Sequence, residues 1–81
     1  MKNKASPHTI SEIVTYLDCI FELVDVGIEG IEYYEEAEII RIRTEDKWLS
    51  RTIDTAEKND AQVLNAILLH LPSCLNTRIY D

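Results

Sequence analysis

The chain has few of the residues that break regular structure or crosslink small folds. Its 81 residues include two glycines, two prolines and two cysteines. So few turn-forming residues exclude a collagen-like or low-complexity chain. Cys19 and Cys74 are too few and too far apart in sequence to form a disulfide framework. We therefore expect both cysteines to be reduced in a cytoplasmic protein, with Cys19 buried in an apolar stretch.

Long apolar runs are also missing. The longest covers residues 66–69, far short of a membrane span, and the first residues lack the apolar segment of a secretion signal. A chain of this length can form one hydrophobic core. We predict a single small domain over 1–81, with 1–7 as a flexible N-terminus and 73–81 as a C-terminal tail, in which 77–80 could add a short edge strand.

Lysine and arginine do not occur between Ala5 and Ile40, a stretch that contains nine acids. Residues 41–81 contain six bases and six acids, so the acidic excess behind the net charge of −7 lies in the first half. Such an asymmetry indicates an acidic face. A chain with this face repels nucleic acid and anionic membranes and attracts basic partners.

The first half predicts a long amphipathic helix from Ile10 to about Val26. Apolar residues recur there at three- and four-residue steps, which is helical spacing. Tyr16, Cys19 and Leu23 add a second apolar strip beside the first. The apolar part of the circumference is wider than a surface helix normally has. Since little chain remains to cover it, we expect self-association as a homodimer through this helix.

Acidic residues continue at the same steps after Gly27, which predicts a second short helix or turn at about 29–36; one long kinked helix is the alternative. Residues 40–43 alternate between Ile and Arg as a half-buried strand does. A return strand over 47–53 would complete a β-hairpin, with Trp48 packed in the core. A helical interpretation of 38–53 is the alternative, because no glycine or proline interrupts this region.

A firmer helix closes the chain. A capping-box pattern at Asp54 or Asn59 would begin it, its buried face is apolar, and Pro72 would end it. The predicted fold is therefore α+β and mainly helical, with an N-terminal amphipathic helix, a short helix or turn, a β-hairpin and a C-terminal helix. An all-α small helical bundle is the alternative.

Residue types that support catalysis or metal binding are present, but not in suitable patterns. The two histidines and two cysteines form no CxxC or HxxxH pair, and structural zinc normally uses close-spaced pairs. Ser73 lies near His70 in sequence without a nucleophile elbow, and the glycines do not form a phosphate-binding loop. We predict a protein that is not an enzyme and has no metal or cofactor.

The bases in the middle of the chain are mixed with acids. This basic cluster consists of Arg41, Arg43, Lys47 and Arg51, and Glu45 and Asp46 lie between them. A solvated hairpin face, or salt bridges to the acidic half, explains four such bases better than direct binding of nucleic acid does.

Six acids step by three or four residues from Asp18 to Glu36, and we name this series the acidic ridge. On a helix, like charges at such neighbouring positions cost about 0.2–0.5 kcal/mol per pair, and no lysine relieves them. A ridge kept at this cost predicts a surface that binds a basic partner; a solvated face that favours solubility is the alternative. The predicted partner-binding residues are Asp18, Glu22, Asp25, Glu29, Glu32, Tyr33, Glu35 and Glu36.

These features predict a small acidic protein-binding module or inhibitor. It would dock its negative face on a basic surface of a partner protein, such as a nuclease or a nucleic-acid-binding complex, where carboxylates can stand in for backbone phosphates. In size and charge the chain resembles small mobile-element inhibitors and toxin-neutralising proteins. The alternative is a self-associating structural or regulatory domain whose acidic ridge is only solvated surface.

Overall fold

A computed structural model describes residues 4–75 of the chain. Its elements are helix α1 (Pro7–Leu23), strands β1 (Ile28–Tyr34), β2 (Ile39–Thr44) and β3 (Arg51–Asp54), and helix α2 (Asp60–Cys74). A single turn of 3-10 helix, Lys47–Leu49, connects β2 to β3. The strands form one antiparallel sheet in the order β1–β2–β3, so the fold is α+β.

The predicted architecture is wrong in the middle of the chain. Residues 29–36 form most of β1 and the start of the turn after it, not a short helix or part of a long kinked one. Strands β2 and β3 occupy the region for which a helix was the alternative, so the all-α bundle is also wrong. A sheet of three strands, and not one hairpin in a mainly helical chain, is the centre of the fold.

Helix α1 begins at Pro7 because the preceding residue caps it. The Ser6 hydroxyl accepts a hydrogen bond from the Thr9 backbone N–H at 3.1 Å, and proline suits the first turn because its missing N–H would have no helical partner there. The helix ends at Leu23, before the predicted end. Gly27, with a φ of 89°, then adopts the left-handed conformation that leads the chain into β1.

A β-bulge at the start of β1 explains why this strand has helical spacing in the sequence. Ile28 and Gly30 pair with consecutive residues of β2, so Glu29 between them is an extra residue. The bulge shifts the alternation of side chains by one position, and as a result Ile28 and Ile31 are both buried. Their three-residue separation imitates the spacing of a helix.

The helices pack against the sheet to form the core. This core contains isoleucines of all three strands and apolar residues of both helices: Ile28, Ile31, Ile40, Ile42, Ile53, Ile10, Val14, Val63, Ile67 and Cys74. Successive strand residues alternate between the two faces of a sheet. Arg41 and Thr52, which point to the face away from this core, are exposed.

Asn59, at one of the two predicted starts, caps helix α2. The Asn59 side chain accepts a hydrogen bond from the Gln62 N–H, and the Gln62 side chain accepts one from the Asn59 N–H, both at 2.9 Å. The helix continues through Pro72 to Cys74, so the prediction that Pro72 ends it is wrong. A proline in the last turn removes one backbone donor, and the Leu75 N–H still donates to the Leu71 carbonyl at 3.1 Å.

Two side chains lie at the surface where the sequence predicts burial. Cys19 is exposed, because it follows the buried Val14 by five residues and therefore lies on the far side of α1. Trp48 is 89% exposed, because the helical turn interrupts the predicted return strand and β3 begins only at Arg51. Cys74 is the buried cysteine, and both thiols are free.

The N-terminal end of the described chain is held against the loop before α2. Ala5 is buried, and its N–H donates a hydrogen bond to the Lys58 carbonyl at 2.7 Å. The described residues end at Leu75, so the predicted strand at 77–80 and most of the predicted tail lie outside them. Within residues 4–75, neither helix is long and apolar enough to cross a membrane.

Candidate protein-binding surfaces

The acidic ridge is divided among four parts of the structure. The predicted binding residues lie on α1 (Asp18, Glu22), in the loop after it (Asp25), on β1 (Glu29, Glu32, Tyr33) and in the β1–β2 turn (Glu35, Glu36). A seven-residue strand spans about 20 Å, so the residues before β1 and those after it lie at opposite ends of the sheet. The eight residues do not form one continuous surface.

Arg43 pairs with the two carboxylates of β1. Its Nε donates to Glu32 Oε2 at 2.7 Å, and its Nη1 lies 3.4 Å from Glu29 Oε1. The hydrogen bond to Glu32, followed by the charges of Glu32 and Glu29, raises the pKa of Arg43. A Cβ atom at Gly30 would come within 2.7 Å of this guanidinium, so glycine gives Arg43 room to lie across β1. Glu29 and Glu32 therefore share one positive charge within the chain, and the charge that they offer to a partner is reduced by half.

Asp18 has a structural partner instead of an ionic one. Its Oδ1 atom accepts a hydrogen bond from the Ile31 backbone N–H at 3.2 Å. β1 is an edge strand, and edge strands expose unpaired backbone groups that other chains can pair with. Asp18 satisfies one of these groups, and this contact fixes α1 against the edge of the sheet.

The order of the strands brings the β1–β2 turn next to the loop after β3. The Thr55 N–H donates to the Glu38 carbonyl at 2.8 Å, and the Lys4 ammonium bonds to the Glu38 carboxylate at 2.7 Å. This hydrogen bond and the charge of Glu38 raise the pKa of Lys4, and Glu57 adds a smaller contribution of the same sign. Acids from two distant parts of the sequence therefore meet at this end of the sheet.

We name this surface the acidic end and define it by the carboxylates of the turn, of the last residue of β3 and of the loop after it: Glu35, Glu36, Glu38, Asp54 and Glu57. Lys4 and Lys58 are the lysines that accompany them. Among residues 4–75, five negative charges and two positive ones give this surface a charge of −3. Within residues 4–75, neither Glu35 nor Glu36 forms an ion pair, and both are exposed.

Two acids of the acidic end have a strained backbone. Glu38 and Glu57 have φ values of 58° and 60°, in the left-handed region that costs a residue other than glycine roughly 1–2 kcal/mol. At Glu38 this conformation follows the turn that its N–H closes by bonding to the Glu35 carbonyl at 3.1 Å. Glycine would relieve the strain and remove the carboxylate. Strained residues of this kind cluster at functional sites.

A cleft with a volume of about 320 Å³ opens beside the acidic end. Tyr33 contributes to its wall, and the pKa of Tyr33 is raised first by burial and then by the charges of Glu35 and Glu38. The phenol therefore stays protonated and can donate a hydrogen bond. The residues that line the cleft are Lys4, Ala5, Pro7, Ile10, Tyr33, Glu35, Glu38 and Thr55.

Reasoning from the sequence missed three members of this surface. Glu38 does not fit the steps of the acidic ridge, and Asp54 and Glu57 lie in the half whose charges balance. Their proximity follows from the pairing of β2 with both neighbouring strands, which is a tertiary feature. The acid-rich segment 35–38 between two apolar stretches is the signal that could have indicated the turn.

A second exposed surface is apolar and lies on the two helices. Tyr16, Ile20 and Leu23 follow one another along α1, and Leu64 and Leu68 along α2, at three- and four-residue steps that keep them on one side of each helix. We name these five exposed side chains the helix strip. A cleft of about 400 Å³ between the helices is lined by Glu12, Ile13, Tyr16, Leu17 and Leu64.

Within residues 4–75, no three His, Cys, Asp or Glu side chains are grouped so that they could hold a metal ion. The acidic end and the helix strip are thus the two surfaces on which a functional proposal can be based. Comparison with protein-family models, with curated proteins and with solved structures finds no match for this chain.

Proposed function

We propose that the chain is a protein-binding module that docks its acidic end on a basic surface of a partner protein. The observation that supports this most directly is the concentration of five carboxylates at one end of the sheet, against two lysines among residues 4–75. Charge of one sign gathered on a protruding end raises the rate of encounter with an opposite charge and orients the approach.

The exposed carboxylates of the turn suit arginine and lysine side chains. Glu35 and Glu36 have no ion pair within the described residues, so a partner does not have to break an internal contact to reach them. Carboxylates accept charge-assisted hydrogen bonds, and those from arginine can be bidentate. The adjacent cleft beside Tyr33 could receive the apolar stem of such a side chain.

A nucleic-acid-binding surface is one kind of basic surface that such a module could occupy. The carboxylates of the acidic end would then compete with phosphates, which would make the chain an inhibitor. This proposal needs a compact acidic patch. The acidic ridge does not form such a patch. Arg43 pairs with two of its acids, and β1 separates the acids before it from those after it.

The test compares two double charge reversals that differ in position alone. Glu35→Lys with Glu36→Lys changes the acidic end, and Glu22→Lys with Asp25→Lys changes exposed acids at the opposite end of β1. Each pair shifts the net charge of −7 by four units. Binding of a labelled oligo-arginine peptide is measured by fluorescence anisotropy at several salt concentrations.

We expect reversal at the acidic end to weaken binding roughly 10- to 100-fold at low salt, since two attractive pairs become repulsive and each exposed pair contributes up to about 1 kcal/mol. The control pair should weaken binding by no more than a few-fold. Equal losses would mean that only net charge matters, and a larger loss for the control would move the site to the other end. Either result contradicts docking through the acidic end.

A further inference from the structure

The helix strip consists of side chains that α1 and α2 leave exposed. Tyr16 is 71% exposed and Leu68 is 56% exposed, although large apolar side chains in this position gain from burial. The strip lies beside the core residues of the helices. On α2, for example, Ile67 is fully buried and the next residue, Leu68, is exposed. Apolar residues recur along one side of each helix, and Tyr16 and Leu64 line the same cleft; exposed apolar surface of this kind marks an interaction site.

The charges around the strip restrict what can cover it. Between residues 61 and 75, α2 and its C-cap contain no Asp, Glu, Lys or Arg, and Glu12 is the single charged residue in the cleft between the helices. Among the described residues of this cleft, a basic partner of the kind proposed for the acidic end finds a single complementary charge, that of Glu12. In a chain with a net charge of −7, the helix strip is where two copies can meet without bringing many carboxylates face to face.

The strip offers apolar contacts to a second copy of itself. It combines the cleft beside Leu64 with an exposed apolar side chain one helical turn further along α2, Leu68. An interface between two identical copies related by a two-fold axis uses the same patch twice and must be complementary to itself. An exposed leucine and a cleft with apolar walls give each copy both halves of such a contact.

We propose that the helix strip binds a second copy of this chain and forms a symmetric homodimer. The two-fold axis places Leu68 of each copy over the cleft between α1 and α2 of the other, with Tyr16 and Ile20 closing the sides. The acidic ends remain outside the interface and exposed to solvent. This inference is independent of the docking proposed for the acidic end.

Sedimentation equilibrium over a range of concentrations tests the dimer. The wild-type chain should sediment at twice its mass of 9.4 kDa and dissociate on dilution. Leu68→Glu should raise the dissociation constant by at least about 30-fold, because an apolar contact at the centre of an interface is replaced by a buried charge. Rising salt should strengthen the dimer, since it screens the repulsion between two acidic chains.

The matched control is Leu69→Glu. Leu69 is 69% exposed on the same helix, but it follows Leu64 by five residues and therefore lies outside the strip. This variant has the same change of composition and charge, and it should dimerise like the wild type. A wild-type chain that is monomeric at every concentration, or equal dissociation of both variants, would overturn the proposal. Circular dichroism of each variant establishes that α2 is intact.

Discussion

The acidic end and the helix strip belong to the same small fold, but they expose opposite kinds of surface. The first gathers carboxylates from a turn and a loop, whereas the second gathers apolar side chains from two helices whose other sides form the core. Electrostatic docking weakens with salt, and apolar association of acidic chains strengthens with it. The comparison teaches that one chain of 81 residues can carry two surfaces that differ in chemistry as well as in position.

A second contrast lies within the acids themselves. Glu29 and Glu32 are close in sequence to Glu35 and Glu36, yet the first two bond to Arg43 and the second two have no ionic partner in the described residues. Charge counted along the sequence therefore overstates the charge available to a partner. Single substitutions can distinguish side chains that stabilise the fold, in the core or in internal pairs, from side chains that are exposed on the two surfaces.

The largest expected effect distinguishes the two sides of α2. Ile67→Ala should lower the free energy of unfolding by about 2–5 kcal/mol, because it leaves a cavity in the core. Leu68→Ala should change it by less than about 0.5 kcal/mol, since Leu68 is exposed in the monomer. Urea unfolding measures both at a concentration where the midpoint no longer depends on dilution. A similar loss for both variants would mean that the helix strip is part of the core.

Asp18 and Glu22 provide the next comparison. Asp18 accepts a backbone hydrogen bond, whereas Glu22 is an exposed acid on the same helix. Asp18→Ala should lower the free energy of unfolding by about 0.5–1.5 kcal/mol, because the Ile31 N–H loses its acceptor. Glu22→Ala should have little effect, since Glu22 is exposed. Denaturant titration measures both values, and equal losses would remove the structural role of Asp18.

Removal of Arg43 should have a smaller effect. Arg43→Gln leaves Glu29 and Glu32 without their ionic partner and should lower the free energy of unfolding by less than Asp18→Ala does, because the pair is partly exposed to solvent. The loss should shrink as salt rises. Thermal unfolding at low and high salt measures this difference, and a loss that does not depend on salt would contradict an ionic cause.

The smallest expected effect is alkaline destabilisation through the buried thiol. Burial raises the pKa of Cys74 above its ordinary value of 9.0. At lower pH the thiol is neutral in both states, so it adds no pH dependence; as pH rises through that value, the unfolded chain releases its proton first and the free energy of unfolding falls. Cys74→Ala should reduce this slope, and Cys19→Ala, at an exposed site, should not. Urea titrations at several alkaline pH values give the slopes; equal slopes in both variants would exclude Cys74 as the source.

The helices could be predicted from the sequence because local contacts define them. The reciprocal bonds of Asn59 and Gln62 join residues three apart, and the apolar spacing of α1 continues for several turns. β1 could not be recognised, because the bulge at Glu29 gives a strand the three-residue spacing of a helix. Alternation at 40–43 did indicate β2, which contains no such irregularity.

The sequence indicates the helix strip better than the acidic end, because part of the strip depends on local spacing alone. The wide apolar circumference of α1 is visible in the residue spacing and indicates an exposed apolar side, but the contribution of Leu64 and Leu68 requires that α2 lie beside α1. The acidic end requires even more: Glu38 and Glu57 are 19 residues apart in sequence and meet because β2 pairs with both neighbouring strands. Long-range pairing of this kind has no local signature.

The most direct test of the account measures both interactions in one set of three proteins. Sedimentation velocity with a labelled oligo-arginine peptide reports the mass of the protein and the fraction of peptide bound to it. The account predicts that Leu68→Glu gives a monomer that still binds the peptide like the wild type, and that Glu35→Lys with Glu36→Lys gives a dimer that does not. Loss of both properties in either variant would contradict the separation of the two surfaces.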